Sequence, residues 1–189
     1  MKLKIQSQLP HEEKGGVLDD CGPSSAACAA SWVLKKDITA AQGIAAKARA
    51  TGFTEKQGVS DNGSSLSELA KTVKVLGADA RYAKDWQDVV DALKRGHAVI
   101  MNVEAPHGYP LQAISSWHKR FVGRHANATY GHMVCAAWTL EEGFQFADPT
   151  FSGRGKEKFA VVITEKDLKA IASSKGYSPA SRCLIVKHG

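Results

Sequence analysis

The chain has 189 residues, a length typical of one domain with a sizeable core, and we expect a single domain over residues 1–189. Hydrophobic residues make up 43% and charged residues 23% of the chain, which excludes a disordered, collagen-like or coiled-coil protein. The net charge of +6 suits an anionic polymer, although an ordinary solvated basic surface explains it equally well. No helix-turn-helix, RNA-binding or zinc-finger pattern accompanies the charge, so we expect no nucleic acid partner.

The first eight residues lack the apolar run and cleavage site of a secretory signal, and no stretch is long and apolar enough to cross a membrane. We therefore expect synthesis in the cytoplasm without a signal peptide and no integral membrane segment. The four cysteines are far apart and show no CxxC spacing, which argues against a zinc site and against a disulfide framework. We expect neither a metal nor a cofactor, and one reactive thiol beside three core cysteines.

The N-terminal half of the chain is predicted to be mainly helical. Residues 2–9 alternate apolar and polar side chains, which predicts a short strand or an extended arm. A helix begins at Cys21, with a proline in its first turn, and runs to about residue 36. Capping residues and apolar residues at helical spacing predict three more helices, over residues 38–50, 66–76 and 85–96.

The C-terminal half is predicted to form mainly strands. Short runs rich in β-branched and aromatic residues predict strands over 98–103, 133–138, 144–147, 159–164 and 183–186, with one helix over 164–173. Helices followed by strands, without alternating βαβ units, indicate an α+β fold. We expect an N-terminal helical half packed on a C-terminal, largely antiparallel β-sheet.

Cys21 stands where the first predicted helix begins, so its thiol lies at the positive end of that helix. Unpaired N–H groups and the helix dipole favour a thiolate there, and the thiolate is the form that attacks carbonyl carbon. The alternative is a small buried side chain that happens to open a helix, which for a single cysteine is the commoner case. The partners of Cys21 therefore decide its role.

Two residues supply the partners that a nucleophilic cysteine needs. His132 opens a predicted strand, and Asp148 ends the next strand just before a proline. A hairpin through residues 139–143, joining these strands, would bring Asp148 beside His132. Each residue taken singly is better explained as a strand-end histidine or a turn aspartate. Because a thiol needs a base, and the base a group that orients it, Cys21, His132 and Asp148 together are predicted to form a catalytic triad.

Four features resemble the papain-like cysteine peptidases of the bacteriocin-processing, double-glycine leader type: the run Asp20-Cys21-Gly22-Pro23-Ser24, the helix at 66–76 closed by Gly77, the Gly131-His132 strand start, and Asp148-Pro149. The resemblance spans about residues 8–159 and implies a papain-like fold with the triad above. It also implies an upstream glutamine whose amide, with the cysteine backbone N–H, stabilises the oxyanion. Gln8 is the predicted residue, and Gln6 is the alternative.

The resemblance also bears on the substrate. Relatives that process leader peptides are fused to a membrane exporter, and nothing of that kind is present in this chain. A free-standing, basic peptidase is more similar to the N-terminal peptidase domains of mycobacteriophage endolysins. That similarity implies a monomeric endopeptidase that cleaves peptidoglycan stem peptides once a phage holin has opened the inner membrane. The alternatives are an intracellular leader or processing peptidase, a deamidase-like effector, or an inactive binding module that docks an anionic polymer.

Overall fold

The computed structural model describes residues 2–6, 20–52, 63–105, 130–149, 160–173 and 178–189. These residues form an α+β fold, as predicted, with five helices and one antiparallel sheet of six strands, one more strand than predicted. The helices are α1 (Cys21–Leu34), α2 (Ala40–Thr51), α3 (Leu66–Val75), α4 (Trp86–Lys94) and α5 (Glu165–Ala172). The strands are β1 (Ala78–Tyr82), β2 (Ala98–Ala105), β3 (Tyr130–Thr139), β4 (Gly143–Ala147), β5 (Val161–Ile163) and β6 (Cys183–His188).

Local sequence determines where the helices begin. Thr39 and Ser65 each accept a hydrogen bond from a backbone N–H in the first turn, in capping boxes completed by Gln42 and Glu68. The Thr164 side chain caps α5 by accepting a hydrogen bond from the backbone N–H of Asp167. All five helices lie within two residues of the bounds predicted from the sequence. Of the helices described, none combines the length and apolar character that crossing a bilayer requires.

The strands are arranged in the order β1-β6-β2-β3-β4-β5, and every neighbouring pair is antiparallel. The last strand of the chain, β6, therefore lies inside the sheet between β1 and β2. β1 was missed by the sequence prediction, because its residues Ala78-Asp79-Ala80-Arg81-Tyr82 contain no β-branched residue and no apolar run. β1 is a strand because it pairs with β6, and not because its residues have a high intrinsic propensity for strands.

Helix α1 is the centre of the fold. All of its residues except Ser31 and Leu34 are buried, and it packs against β2, β3 and β6 as well as against α2 and α3. Its small side chains allow close approach on both sides. Ser25 Oγ donates to the carbonyl oxygen of Met133 at 2.9 Å. On the α2 side, a Cβ atom added at Gly43 would collide with the backbone carbonyl of the α1 residue Pro23.

Residues 2–6 are extended, as predicted for the strand or arm over residues 2–9; residues 7–9 lie outside the described residues. The backbone N–H of Leu3 donates to Gln145 Oε1 at 2.6 Å, and its carbonyl accepts from the N–H of Ala160 at 2.8 Å. The thiol of Cys28 donates to the carbonyl of Lys4 at 3.0 Å. The arm is thus attached to α1 and to β4.

Candidate active site

Cys21 is the first residue of α1. The chain enters the helix through Asp20, whose carbonyl accepts the N–H of Ser24 at 3.0 Å and whose side chain makes no capping hydrogen bond. The first turn contains no acidic residue. The N–H groups and the dipole of this turn therefore act on the thiol, next to the buried N-cap residue Asp20. Cys21 is 8% exposed, so its side chain lies at the edge of the core.

The glycine after the cysteine is required by packing. A Cβ atom at Gly22 would lie 2.5 Å from Ser64 Oγ and 3.2 Å from a methyl carbon of Leu69. Real Cβ atoms are not found closer than about 3 Å to such neighbours. Gly22 therefore lets the residue before the α3 cap and the first turn of α3 pack directly against the start of α1.

His132 and Asp148 lie on neighbouring strands at one end of the sheet. β3 and β4 form the predicted hairpin, with Thr139 opposite Gly143. Asp148, one residue past β4, returns to the end of the sheet where β3 begins. His132 Nε2 lies 2.8 Å from Asp148 Oδ1, and both side chains are 2% exposed. The two groups thus form a buried pair.

The third member of the predicted triad reaches this pair. The Cys21 side chain lies close enough to His132 to help raise the pKa of the imidazole, after the larger effects of burial and of Asp148. Nε2 of the imidazole is paired with Asp148, so a bond from the ring to Cys21 would use Nδ1. The structure therefore brings together side chains from the first turn of α1, the beginning of β3 and the end of β4.

Charge at this site favours a protonated imidazole. Burial by itself lowers the pKa of His132, because the imidazolium loses its hydrating water. The charge and hydrogen bond of Asp148 outweigh burial and, with a smaller contribution from Cys21, raise the pKa of His132 to about 10. His132 is therefore an imidazolium at neutral pH, a cation close to the Cys21 side chain.

Of the two glutamines considered for binding the oxyanion, the structure describes only Gln6. Gln8 lies outside the described residues. Gln6 lies on the arm and is 6% exposed, and its Nε2 atom has no hydrogen-bond partner among the described residues. Its side chain lies close enough to Asp37 to help lower the pKa of that carboxyl, after the larger effect of Lys4. The choice between Gln8 and Gln6 stays a prediction.

Two polar residues that the prediction did not include position the site. Ser25 ties α1 to β3 beside His132 through its bond to the Met133 carbonyl. Gln145 is 1% exposed and fastens the arm to β4, three residues before Asp148. Gln145 offered a signal, since it is a polar residue between two phenylalanines in a buried strand. Ser25 gave no such signal, because it is one of several small residues in α1 and nothing in the sequence distinguishes it from the others.

Within the part of the chain that the structure describes, no group of three histidine, cysteine, aspartate or glutamate side chains is placed to hold a metal ion.

Comparison of the chain with models of known protein families, and with curated proteins, gave no match in either case. A proposal on function therefore rests on the geometry of Cys21, His132 and Asp148.

Proposed function

We propose that the protein is a cysteine peptidase that hydrolyses amide bonds through Cys21, His132 and Asp148. One observation carries the proposal: a buried histidine–carboxylate pair, 2.8 Å apart, close enough to a cysteine at the N-terminus of a buried helix for that cysteine to influence the pKa of the histidine. Stability alone does not favour such a pair, because apolar side chains often replace buried ion pairs without loss of stability. A nucleophile, a base and an orienting carboxylate are what thiol catalysis requires.

The geometry supports the following sequence of steps. The Cys21 thiolate attacks the carbonyl carbon, and the oxyanion is held by the backbone N–H of Cys21 and by an arm glutamine, Gln8 or Gln6. Imidazolium His132 then gives its Nδ1 proton to the leaving amine as the C–N bond breaks, which leaves the acyl group on Cys21 as a thioester. Neutral His132 takes a proton from water, which attacks the thioester carbon; the C–S bond breaks, the acid leaves, and the Cys21 thiolate and the imidazolium are restored. Asp148 stays ionised throughout and holds the imidazole ring in position.

The same residues support a papain-like domain of the double-glycine leader peptidase type. A helix that opens with the cysteine, a histidine that is the third residue of its strand and an aspartate before a proline occur in the order expected of that family. The helical N-terminal part packed on an antiparallel sheet agrees with the same fold.

As substrate we propose the stem peptides of peptidoglycan, cleaved by the peptidase domain of a phage endolysin acting as a monomer. The net charge of +6 supports this choice, because bacterial cell walls carry anionic groups that attract a basic enzyme. In this proposal the protein is made in the cytoplasm and reaches the wall after a holin has opened the inner membrane. A processing peptidase, a deamidase-like effector and an inactive anion-binding module are the competing functions.

The pH dependence of Cys21 alkylation separates an enzyme from an inactive module. At about pH 6 we expect iodoacetamide to alkylate Cys21 at least ~10 times faster in the native protein than in a His132→Gln variant, because the imidazolium stabilises the thiolate. Mass spectrometry of the Cys21 peptide measures the rate. Cys28, in the same helix and 2% exposed, is the internal control and should react slowly in both proteins. Equal rates for Cys21 in the two folded proteins would contradict the proposed catalytic site.

Digestion of purified cell wall tests the substrate. We expect the protein to release new amino groups and stem-peptide fragments from peptidoglycan, because both are products of amide hydrolysis between amino acids. An unrelated peptide and a double-glycine leader peptide serve as parallel substrates. Cleavage of the leader peptide without wall digestion would contradict the wall substrate and indicate a processing peptidase. Conversion of glutamine to glutamate without chain cleavage would indicate a deamidase.

A further inference from the structure

A cavity that the proposed chemistry does not use lies at the C-terminal half of α1. It has a volume of about 330 Å³, within the range of pockets that hold small molecules. Its wall is formed by residues 2–4 of the arm, by the last two turns of α1 and by residues 35–37, which follow the helix. Cys28, the wall residue nearest to Cys21 along α1, lies about 10 Å further along the helix than Cys21. The cavity is therefore separate from the candidate active site.

Four lysines line the cavity, and two of them lack a counter-ion. The Nζ atoms of the arm residues Lys2 and Lys4 lie 3.2 Å and 2.8 Å from carboxylate oxygens, so both of these lysines are ion-paired. Lys35 and Lys36, at the end of α1, form no ion pair with any residue that the structure describes. The cavity therefore has two positive charges available to an anionic ligand.

Hydrogen bonds to Ser31 fix the backbone on which these two lysines stand. The N–H groups of Lys35 and Lys36 both donate to the Ser31 carbonyl, the second at 3.2 Å. The Ser31 hydroxyl donates to the carbonyl of Ile38 and accepts from its N–H, each at 3.0 Å. The Lys35 ammonium lies 4.6 Å from the centroid of the Trp32 ring, which is part of the cavity wall. The Lys35 charge is thus in place at the cavity before a ligand binds.

Lys35 has a backbone conformation that lysine rarely adopts. Its φ of 55° lies in the left-handed region, and within the described ranges it is the only residue other than glycine with a positive φ. Where the chain leaves the next three helices, glycines have the positive φ: Gly52, Gly77 and Gly96. A glycine would end α1 with less strain, so the stability of the helix end does not explain a lysine here. Strained residues of this kind cluster at ligand sites.

We propose that the cavity binds a small organic phosphate, whose phosphate group pairs with the ammonium groups of Lys35 and Lys36. Two cations without a counter-ion match the charge of about −2 that a phosphate monoester carries at neutral pH. An ammonium group is a point charge and binds phosphate oxygens without fixing the orientation of the anion. The rest of the cavity holds an organic group of roughly the size of one sugar ring, beside Trp32. The proposal does not depend on the peptidase function.

A ligand in this cavity contacts both the arm and the end of α1. The arm is already attached here, because the Lys4 ammonium is paired with Asp37 and the Lys4 carbonyl accepts from the Cys28 thiol at 3.0 Å. A bound phosphate adds contacts between the same two segments, so it stabilises the attached state of the arm. The backbone N–H of Leu3, which donates to Gln145 Oε1, should therefore exchange with deuterium more slowly in the complex.

Calorimetric titration of the full chain with glucose 6-phosphate tests the proposal. At low ionic strength we expect one site with a Kd of about 1 mM or below, and weaker binding as salt is added. Glucose probes the organic group alone, and succinate is a dianion whose two charges lie on separate groups. Both should bind at least ~5-fold more weakly than the phosphate. Deuterium exchange at Leu3, followed by NMR, should slow with glucose 6-phosphate and not with glucose.

Substitution of Lys35 separates binding from the stability of the helix end. Lys35→Gly should weaken binding of glucose 6-phosphate by about 5-fold or more, because one cation is lost. The melting temperature of the ligand-free variant should stay the same or rise, because glycine adopts the positive φ without strain. Lys36→Gln should weaken binding to a similar degree. Lys169→Gln is the matched control, since it removes an exposed charge on α5, outside the cavity wall, and should leave the Kd within about 2-fold.

The proposal is overturned if glucose 6-phosphate does not bind the native protein, or if glucose or succinate binds as tightly. It is also overturned if Lys169→Gln weakens binding as much as Lys35→Gly does. Unchanged binding by Lys35→Gly, together with a lower melting temperature, would assign Lys35 to the stability of the helix end alone. The first two outcomes are read in the native protein, so they stand even where a variant fails to fold.

Discussion

Replacing Cys21 with alanine is expected to abolish hydrolysis, with kcat/KM on peptidoglycan or on a cleaved peptide falling by about 10⁴-fold or more. The substitution removes the sulfur that attacks the carbonyl, and neither His132 nor Asp148 can replace it. Cys21 is the first residue of α1, where alanine fits the helix well, so we expect a change of about 1 kcal/mol or less in the free energy of unfolding. Amino-group release measures the activity, and circular dichroism on heating measures the stability.

Cys28→Ala is the matched control, because Cys28 lies two turns further along the same helix. It removes a buried thiol with no part in the proposed hydrolysis, so the activity should stay within about 3-fold of the native value while the free energy of unfolding falls by about 1 kcal/mol. The reverse result, with an active Cys21→Ala protein and an inactive Cys28→Ala protein, would show that the nucleophile has been misassigned.

The helices could be predicted from the sequence because their ends are coded locally. Thr39, Ser65 and Thr164 cap the helices that follow them through hydrogen bonds to residues three positions away. β1 could not be predicted in this way. Its small and polar residues form a strand because β6, from the other end of the chain, lies beside it. The position of β6 inside the sheet depends on the same long-range pairing, for which the sequence contains no local signal.

The part of the candidate site that depends on local structure could be predicted from the sequence, and the part that depends on long-range packing could not. The hairpin between β3 and β4 has a short connection, so the spacing of His132 and Asp148 already indicated that the two residues meet. The contact of Cys21 with His132 depends instead on how α1 packs on the sheet. That packing is held by Ser25 and by the small residues of the helix, whose role appears only in three dimensions. Gln145 fastens the arm in the same long-range manner.

Replacing Asp148 with asparagine is expected to lower kcat/KM by about 10²- to 10⁴-fold, although the side chain keeps its shape. Asparagine still accepts a hydrogen bond from His132 Nε2, but it lacks the charge that stabilises the buried imidazolium. His132 then becomes neutral near neutral pH, because burial lowers its pKa and the opposing charge is gone. Cys21 loses the neighbouring cation, and the leaving amine loses its proton donor.

The same substitution also changes how the free energy of unfolding depends on pH, and this effect can be measured independently of catalysis. The pKa of His132 is raised from 6.5 to about 10 in the folded protein, so the native state keeps a proton that the unfolded chain releases between these values. The stabilisation from this proton is fully present below about pH 6.5 and is lost as the pH rises through about 10. We expect Asp148→Asn to cost about 3 kcal/mol near pH 6, and we expect this cost to shrink steadily towards pH 10.

Urea unfolding of both proteins across this pH range measures the effect, with Asp79→Asn as the control. Asp79 is an exposed carboxylate on the edge strand β1, and three strands separate β1 from β4. The control makes the same chemical change without touching a buried charge, so its unfolding free energy should differ from the native value by a constant, small amount at every pH. A cost of Asp148→Asn that did not vary with pH would mean that Asp148 only accepts a hydrogen bond from a neutral His132. In that case Cys21 would have no imidazolium beside it, and proton transfer would have to precede the attack on the carbonyl carbon.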